Sequence, residues 1–182
     1  MICADSQETV NKTSKRSVTK VRYEPCSPEG HDLNFSDLGV AFCGAGDGPF
    51  IDKLAQEAWG ACSGEKNLND VCSVIERKIK ETYQEFGQIY QPGYCPEVHL
   101  IYGVKMAGKS RLFSAFGPIV NEKFEYESGG AGQIMAEFLA HKLHRSWLGI
   151  EQASILAAYV LLKAGENVDG LRRRSPNHRA AQ

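Results

Sequence analysis

An aspartate that closes one apolar run and a lysine inside the next β-rich segment are the residues of this chain best suited to chemistry. ICADSQET ends its apolar run Met1–Ala4 on Asp5, and SVTKV places Lys20 between Thr19 and Val21. A carboxylate and an ammonium group meeting at partly buried strand ends attract by about 4 kcal/mol at 4 Å and an effective dielectric near 20. That is enough to keep both charged and fixed. An ammonium held in this way lowers the pKa of a neighbouring nucleophile or steadies a developing negative charge. Taken alone, the same two residues equally suit a structural ion pair.

Other clusters carry less. GAGDGP has the look of a dinucleotide loop, but Pro49 takes the third glycine's place and the surrounding order is not βαβ. Gly129, Gly130 and Gly132 stand before a helical pattern, where they would cradle an anion or, more plainly, form a strand-to-helix corner. Glu137, His141 and His144 share one helical face, yet no second cluster supplies further ligands, so a solvated face is the plainer use. His31 and His99 have no obvious partners. The closing LRRRSPNHRAAQ gathers Arg172, Arg173, Arg174 and Arg179 without interleaved aromatics, so no nucleic-acid partner is expected. No cofactor and no metal are expected either.

Composition bounds the setting. The chain has 182 residues, 42% hydrophobic and 24% charged, with a formal net charge of −1, the balance of one globular domain and not of a nucleic-acid binder. Cys3, Cys26, Cys43, Cys62, Cys72 and Cys95 include no CxxC and several sit in apolar runs, which suggests thiols in a reducing compartment. No apolar stretch reaches the roughly 18 residues that span a membrane, and no basic region precedes the first apolar run. The expected location is cytoplasmic, with no membrane partner.

The elements that must position these residues begin with strands at Met1–Ala4, Val18–Glu24 and Leu38–Cys43, the second followed by the turn-rich PCSPEGHD. Pro49 opens a helix with Ile51, Leu54, Ala55, Ala58 and Cys62 at helical spacing. A second helix carries Leu68, Val71, Ile75, Ile79, Tyr83 and Phe86 as one stripe. Residues 97–128 then read as consecutive antiparallel strands with turns at Gly108-Lys109 and Gly117-Pro118. A helix with Ile134, Phe138 and Leu139 on its apolar face follows the glycine cluster. The last helix, IEQASILAAYVLLKAG, is apolar almost all round and should be covered on both sides. Strands, paired helices, strands and paired helices imply an α+β fold with antiparallel sheets and helices on their outer faces.

ICADSQET, SVTKV, LGVAFCGAGD, ESGGAG and the IEQA and GENVDG segments, in this order and spacing, resemble the proteasome β-subunit family of N-terminal-nucleophile hydrolases. The resemblance covers about residues 1–170 and implies a four-layer α/β/β/α sandwich. It leaves 171–182 as a basic tail expected to be disordered. It implies that the nucleophile is an N-terminal threonine hydroxyl with its own α-amino group as base. A lysine matching Lys20 lies beside that hydroxyl, held by an aspartate matching Asp5. The glycine matching Gly44 offers its N–H to the oxyanion. Ala131 aligns with the family's serine, with Ser128 three residues earlier, and the family's late aspartate falls near Glu166, with Asp169 following.

The resemblance also implies a threonine-bearing strand and turn of roughly a dozen residues ahead of Met1, and strands after the last helix. The sandwich is therefore expected to be incomplete at both ends, and the chain as written is expected to hydrolyse no peptide. The leading function is a proteasome-type threonine peptidase homologue acting on peptides or unfolded protein within a ring of homologous subunits. A catalytically silent ring component and another N-terminal-nucleophile amidase or peptide ligase are the alternatives.

Overall fold

The computed structural model describes residues 2, 4, 7–10, 14–17, 22–25, 38–62, 64–89 and 95–167. Asp5, Lys20, Asp169, His31, Cys3, Cys26, the PCSPEGHD turn and the arginine-rich tail lie outside the described residues. Two compact units divide the chain, one of 1–4 and 19–130, the other of 5–18 and 131–182.

In the first unit, β3 (Arg22–Pro25), β4 (Gly39–Gly46), β5 (Val98–Met106), β6 (Lys109–Phe116) and β7 (Ile119–Lys123) form one sheet in that order, every neighbour antiparallel. Residues that pair across strands share a face. Phe42, Tyr102 and Phe113 fall in one such row, and Cys43, Ile101 and Ser114 in a row of the opposite face.

The first face is covered by α1 (Gly48–Ala61) and α2 (Leu68–Ile89). Asp47 caps α1, its Oδ1 accepting from the Phe50 N–H at 3.0 Å, and Pro49 fills a position where no helical N–H is needed. Asn67 starts α2 in the same way, its Oδ1 accepting from the Asp70 N–H at 3.0 Å. Phe50, Leu54, Ala55 and Ala58 of α1 and Val71, Ile75, Ile79 and Tyr83 of α2 are buried with Val40, Phe42, Leu100, Tyr102 and Val104 of the sheet. Phe50 stands edge-on to both Tyr83 and Phe86, ring centroids 4.8 Å apart in each case. The stripes of α1 and α2 expected from sequence face this core, with Ile51, Leu68 and Phe86 partly buried at its margin, whereas Ile134 and Phe138 of the face expected for the third helix are exposed. Cys62 and Cys72 belong to this core, and the Cys62 thiol donates to the Ala58 carbonyl at 3.1 Å. Burial pushes the Cys72 thiol up, with Arg111 pulling the other way.

In the second unit, β1 (Gln7–Val10) and β2 (Ser14–Ser17) form an antiparallel hairpin. Its helices α3 (Gln133–Leu143) and α4 (Ile150–Asn167) pack on each other. Among the described residues, no helix is long and apolar enough to cross a membrane.

Three expectations need correction. Ile2 and Ala4 lie outside regular structure and the first strand is the polar Gln7–Val10, because backbone pairing holds this hairpin and an apolar run does not mark it. The β5–β6 turn is Ala107-Gly108, one residue earlier than expected, with φ 50° and 75°. Two positive φ values are what a two-residue turn matching the strand twist demands. α4 is not covered on both sides: of its described residues only Ala164 is buried, while Ile150, Ile155, Tyr159 and Leu162 are exposed. All-round apolarity specifies that a cover is favourable, not what supplies it.

Tyr102 is fully buried, stacked on Phe113 at 5.0 Å, and its hydroxyl has no hydrogen-bond partner among the described residues. Burial pushes its phenol far above the usual range. An orphaned buried hydroxyl costs stability that a phenyl ring does not. Tyr102→Phe is therefore expected to raise the free energy of unfolding by about 1 kcal/mol in urea denaturation, and a loss of stability would show that the hydroxyl is bonded.

Candidate functional site

β4 delivers Gly44 and Ala45 to the end of the sheet, and the chain leaving β7 returns there as Glu127-Ser128-Gly129-Gly130. A methyl group on Gly44 would lie 3.1 Å from Ile51 of α1 and 3.2 Å from the His99 carbonyl oxygen, so its backbone is pressed between α1 and β5. Gly46 is tighter still: with φ +117°, its Cβ would fall 2.0 Å from the Glu97 carbonyl oxygen. The strand can end here only through glycine.

The returning loop rests on the opposite face of the sheet. A Cβ on Gly129 would come within 2.6 Å of His99 Nδ1, and one on Gly130 within 3.3 Å of the Ala45 methyl. Ala45 and His99 are themselves directly paired across β4 and β5. The two glycines thus sit on the two members of one cross-strand pair. Gly130, at φ +90°, turns the chain there, which makes the glycine cluster a corner, as its plainer reading had it.

His99 was expected to have no partner, and this is corrected. The residue is 9% exposed, and Nε2 lies 2.8 Å from Ser114 Oγ on β6. Glu127 Oε1 is 3.9 Å from the same nitrogen, and Glu127 Oε2 is 2.7 Å from Lys123 Nζ. A hydrolytic triad needs the hydroxyl and the carboxylate on opposite ring nitrogens. Here both face Nε2, and Ser114 is buried, so this is a structural polar cluster. The signal for it was the lone polar residue in the apolar run of β5.

Of the predicted site residues, Gly44 lies one residue before Ala45, which Gly130 approaches, and Ser128 one residue before Gly129, which rests on His99. Ser128 is half-buried. Glu166 is exposed on α4, where its Oε2 pairs with Lys163 Nζ at 2.7 Å. Asp5, Lys20 and Asp169 lie outside the described residues. Glu137 accepts a hydrogen bond from Gln133 Nε2 at 2.7 Å, and no metal-binding group of three occurs among the described residues. A separate open groove of about 390 Å³ runs between α2 and β6–β7, lined by Cys72, Glu76, Arg111 and Glu122, with Arg111 Nε 3.5 Å from Glu122.

No protein-family model and no curated protein matches the chain. Solved structures do. Anbu (ancestral beta-subunit) from Yersinia bercovieri superposes with a TM-score of 0.70 at 12% identity, covering 93% of this chain and 72% of that one. A Gly-1 mutant of Anbu from Hyphomicrobium sp. strain MC1 gives 0.70 at 12%, covering 93% and 71%. The helical assembly of the Anbu complex from Pseudomonas aeruginosa gives 0.70 at 10%, covering 93% and 72%. At such identity the likeness is one of fold alone, a mixed α+β fold shared with these Anbu subunits.

Because Gly46 has both a left-handed backbone and no room for a side chain, Gly46→Ala is expected to lower unfolding free energy by at least about 2 kcal/mol. Chemical denaturation measures this, and a near-neutral outcome would mean that the β4 end is not held against Glu97.

Proposed function

We propose that the chain, as a subunit of proteasome lineage, assembles with copies of itself and supplies the surroundings of an N-terminal-nucleophile site for peptide-bond hydrolysis, residues 1–182 alone hydrolysing no peptide. The observation that supports this is the approach of Gly129 and Gly130 to the His99–Ala45 pair at the end of β4, next to Gly44, in a chain whose fold resembles Anbu subunits over most of its length. The full architecture proposed is the four-layer α/β/β/α sandwich.

In this reading the Gly44 N–H faces the oxyanion that forms when a nucleophile attacks the peptide carbonyl. Preorganised backbone donors stabilise that charge without reorganising. Lys20, held by Asp5, favours the ionised nucleophile; Ser128, Glu166 and Asp169 complete the surroundings that the resemblance implies. The substrate is a peptide or unfolded protein and the nucleophile a threonine hydroxyl. A silent ring component would share the fold and the assembly but not the dependence on Lys20.

Self-association is supported by the surface of the second unit. α3 has no buried residue and exposes Ile134 and Phe138 one turn apart, while α4 exposes Ile155, Tyr159 and Leu162 at i, i+4 and i+7. An apolar stripe of this kind is favoured against another protein surface over water.

Light scattering on the purified chain is expected to give a mass several times 20.1 kDa, and Phe138→Asp with Ile155→Asp to reduce it to the monomer. In the gene product as the cell makes it, Lys20→Ala is expected to slow hydrolysis of a fluorogenic peptide by about 10²-fold or more. A wild-type monomer would overturn the assembly, and hydrolysis indifferent to Lys20 would overturn the mechanism.

A further inference from the structure

We infer that His99 is a positioning residue: its imidazole, held by Ser114 and Glu127, is the seat that fixes the height of the Ser128–Gly130 loop above the end of β4. The functional side of this inference rests on the reading of Gly44 and Ser128 as flanks of the reaction site.

A buried imidazole is costly unless its nitrogens are satisfied, and such groups are kept where they define geometry. His99 stands on the face of β5 turned away from α1 and α2. Ser114 lies diagonal to it on β6, since His99 pairs with Phe116 and Ser114 is two residues away on the same face. The 2.8 Å contact to Ser114 Oγ fixes the ring's rotation from one edge. Phe116, its ring centroid 5.9 Å away, flanks the imidazole. Glu127 approaches the same edge and is tied through Lys123 to the end of β7, so the entry of the loop is anchored before the glycines begin.

That leaves the Nδ1 edge for the loop. Gly129 lies so close that even a methyl group would collide with Nδ1, at 2.6 Å, and with Cε1, at 3.0 Å. Its backbone is therefore in contact with the ring. Gly130 completes the seat on Ala45, the cross-strand partner of His99. A shorter side chain at 99 would let the loop drop toward the sheet, and any side chain at 129 would lift it. Either change moves Ser128 relative to Gly44, and in the reaction proposed above such displacement weakens an interaction made mainly in the transition state.

The test reads the loop directly. Amide hydrogen exchange on the full chain, followed in the peptide covering 124–133, is expected to quicken at least tenfold in His99→Ala, to stay near the wild-type rate in His99→Gln, which can still bond Ser114, and to quicken in Gly129→Ala. Exchange in the 50–60 peptide of α1 should not change. Loop exchange within twofold of wild type in His99→Ala overturns the inference. Should His99→Ala also open α1, Gly129→Ala decides alone, because it removes no side-chain hydrogen bond: quickening confined to the loop supports the inference and no change refutes it. The readout needs no turnover, so a loosened loop with unaltered peptide hydrolysis would keep the positioning role and sink the reaction assigned to the site.

Discussion

A polar imidazole on a strand buried on both faces is the constraint around which the first unit is arranged. Val98, His99, Leu100, Ile101 and Tyr102 are all buried, so the first half of β5 has no wet side on which to place a hydrogen-bonding group, unlike its far end at the exposed Lys105. Every such group must be met within the protein or carried at a cost. Tyr102 carries that cost, and His99 is met by Ser114 with Glu127 close by. The accommodation of His99 then reaches outward. It draws Glu127 in from solvent, engages Lys123, and leaves the far edge of the ring as a platform on which only glycine fits.

What the sequence made legible follows from how local each signal is. The stripes of α1 and α2 repeat within a few residues, so Leu54, Ala58, Val71, Ile75 and Ile79 could be placed facing a core before any partner was known. The strands from Val98 to Lys123 were equally plain, because their hairpins are consecutive. The Ala107-Gly108 turn was missed by one residue since alanine gives little warning of a positive φ. The His99–Ser114 contact was hidden for a different reason. It depends on register, and a slip of one residue would put the two side chains on opposite faces. The 7–17 hairpin gave no apolar alternation, so its segment could not be distinguished from a polar loop. Of the candidate site, Gly44 was named through resemblance alone, while the tight space around it became visible only with Ile51 and the His99 carbonyl in position.

The two units differ in how their apolar surface is used. In the first, aromatic rings interlock across the helix–sheet boundary, with Phe50 against Tyr83 and Phe86. In the second, the same kinds of residue face outward, with Phe138 under the ammonium of Lys142 at 5.8 Å and Ile155 in the open. Such a surface costs little in isolation when spread among polar neighbours. Its stripe-like spacing on α4 is what distinguishes it from scatter, and it is the ground on which self-assembly is proposed.

The pairing of β4 with β5 also sets an order of events as the chain collapses. β5, β6 and β7 are joined by two-residue turns, so their contacts span little sequence and form with small loss of chain entropy. Both α1 and α2 lie inside the loop that β4 closes when it aligns on β5. On contact separation the three-stranded meander is the expected early scaffold, with the helices drawn over it when β4 arrives. The glycine-bearing end of β4, with Gly46 against Glu97, is on the same ground expected to be completed late on the way to the native state.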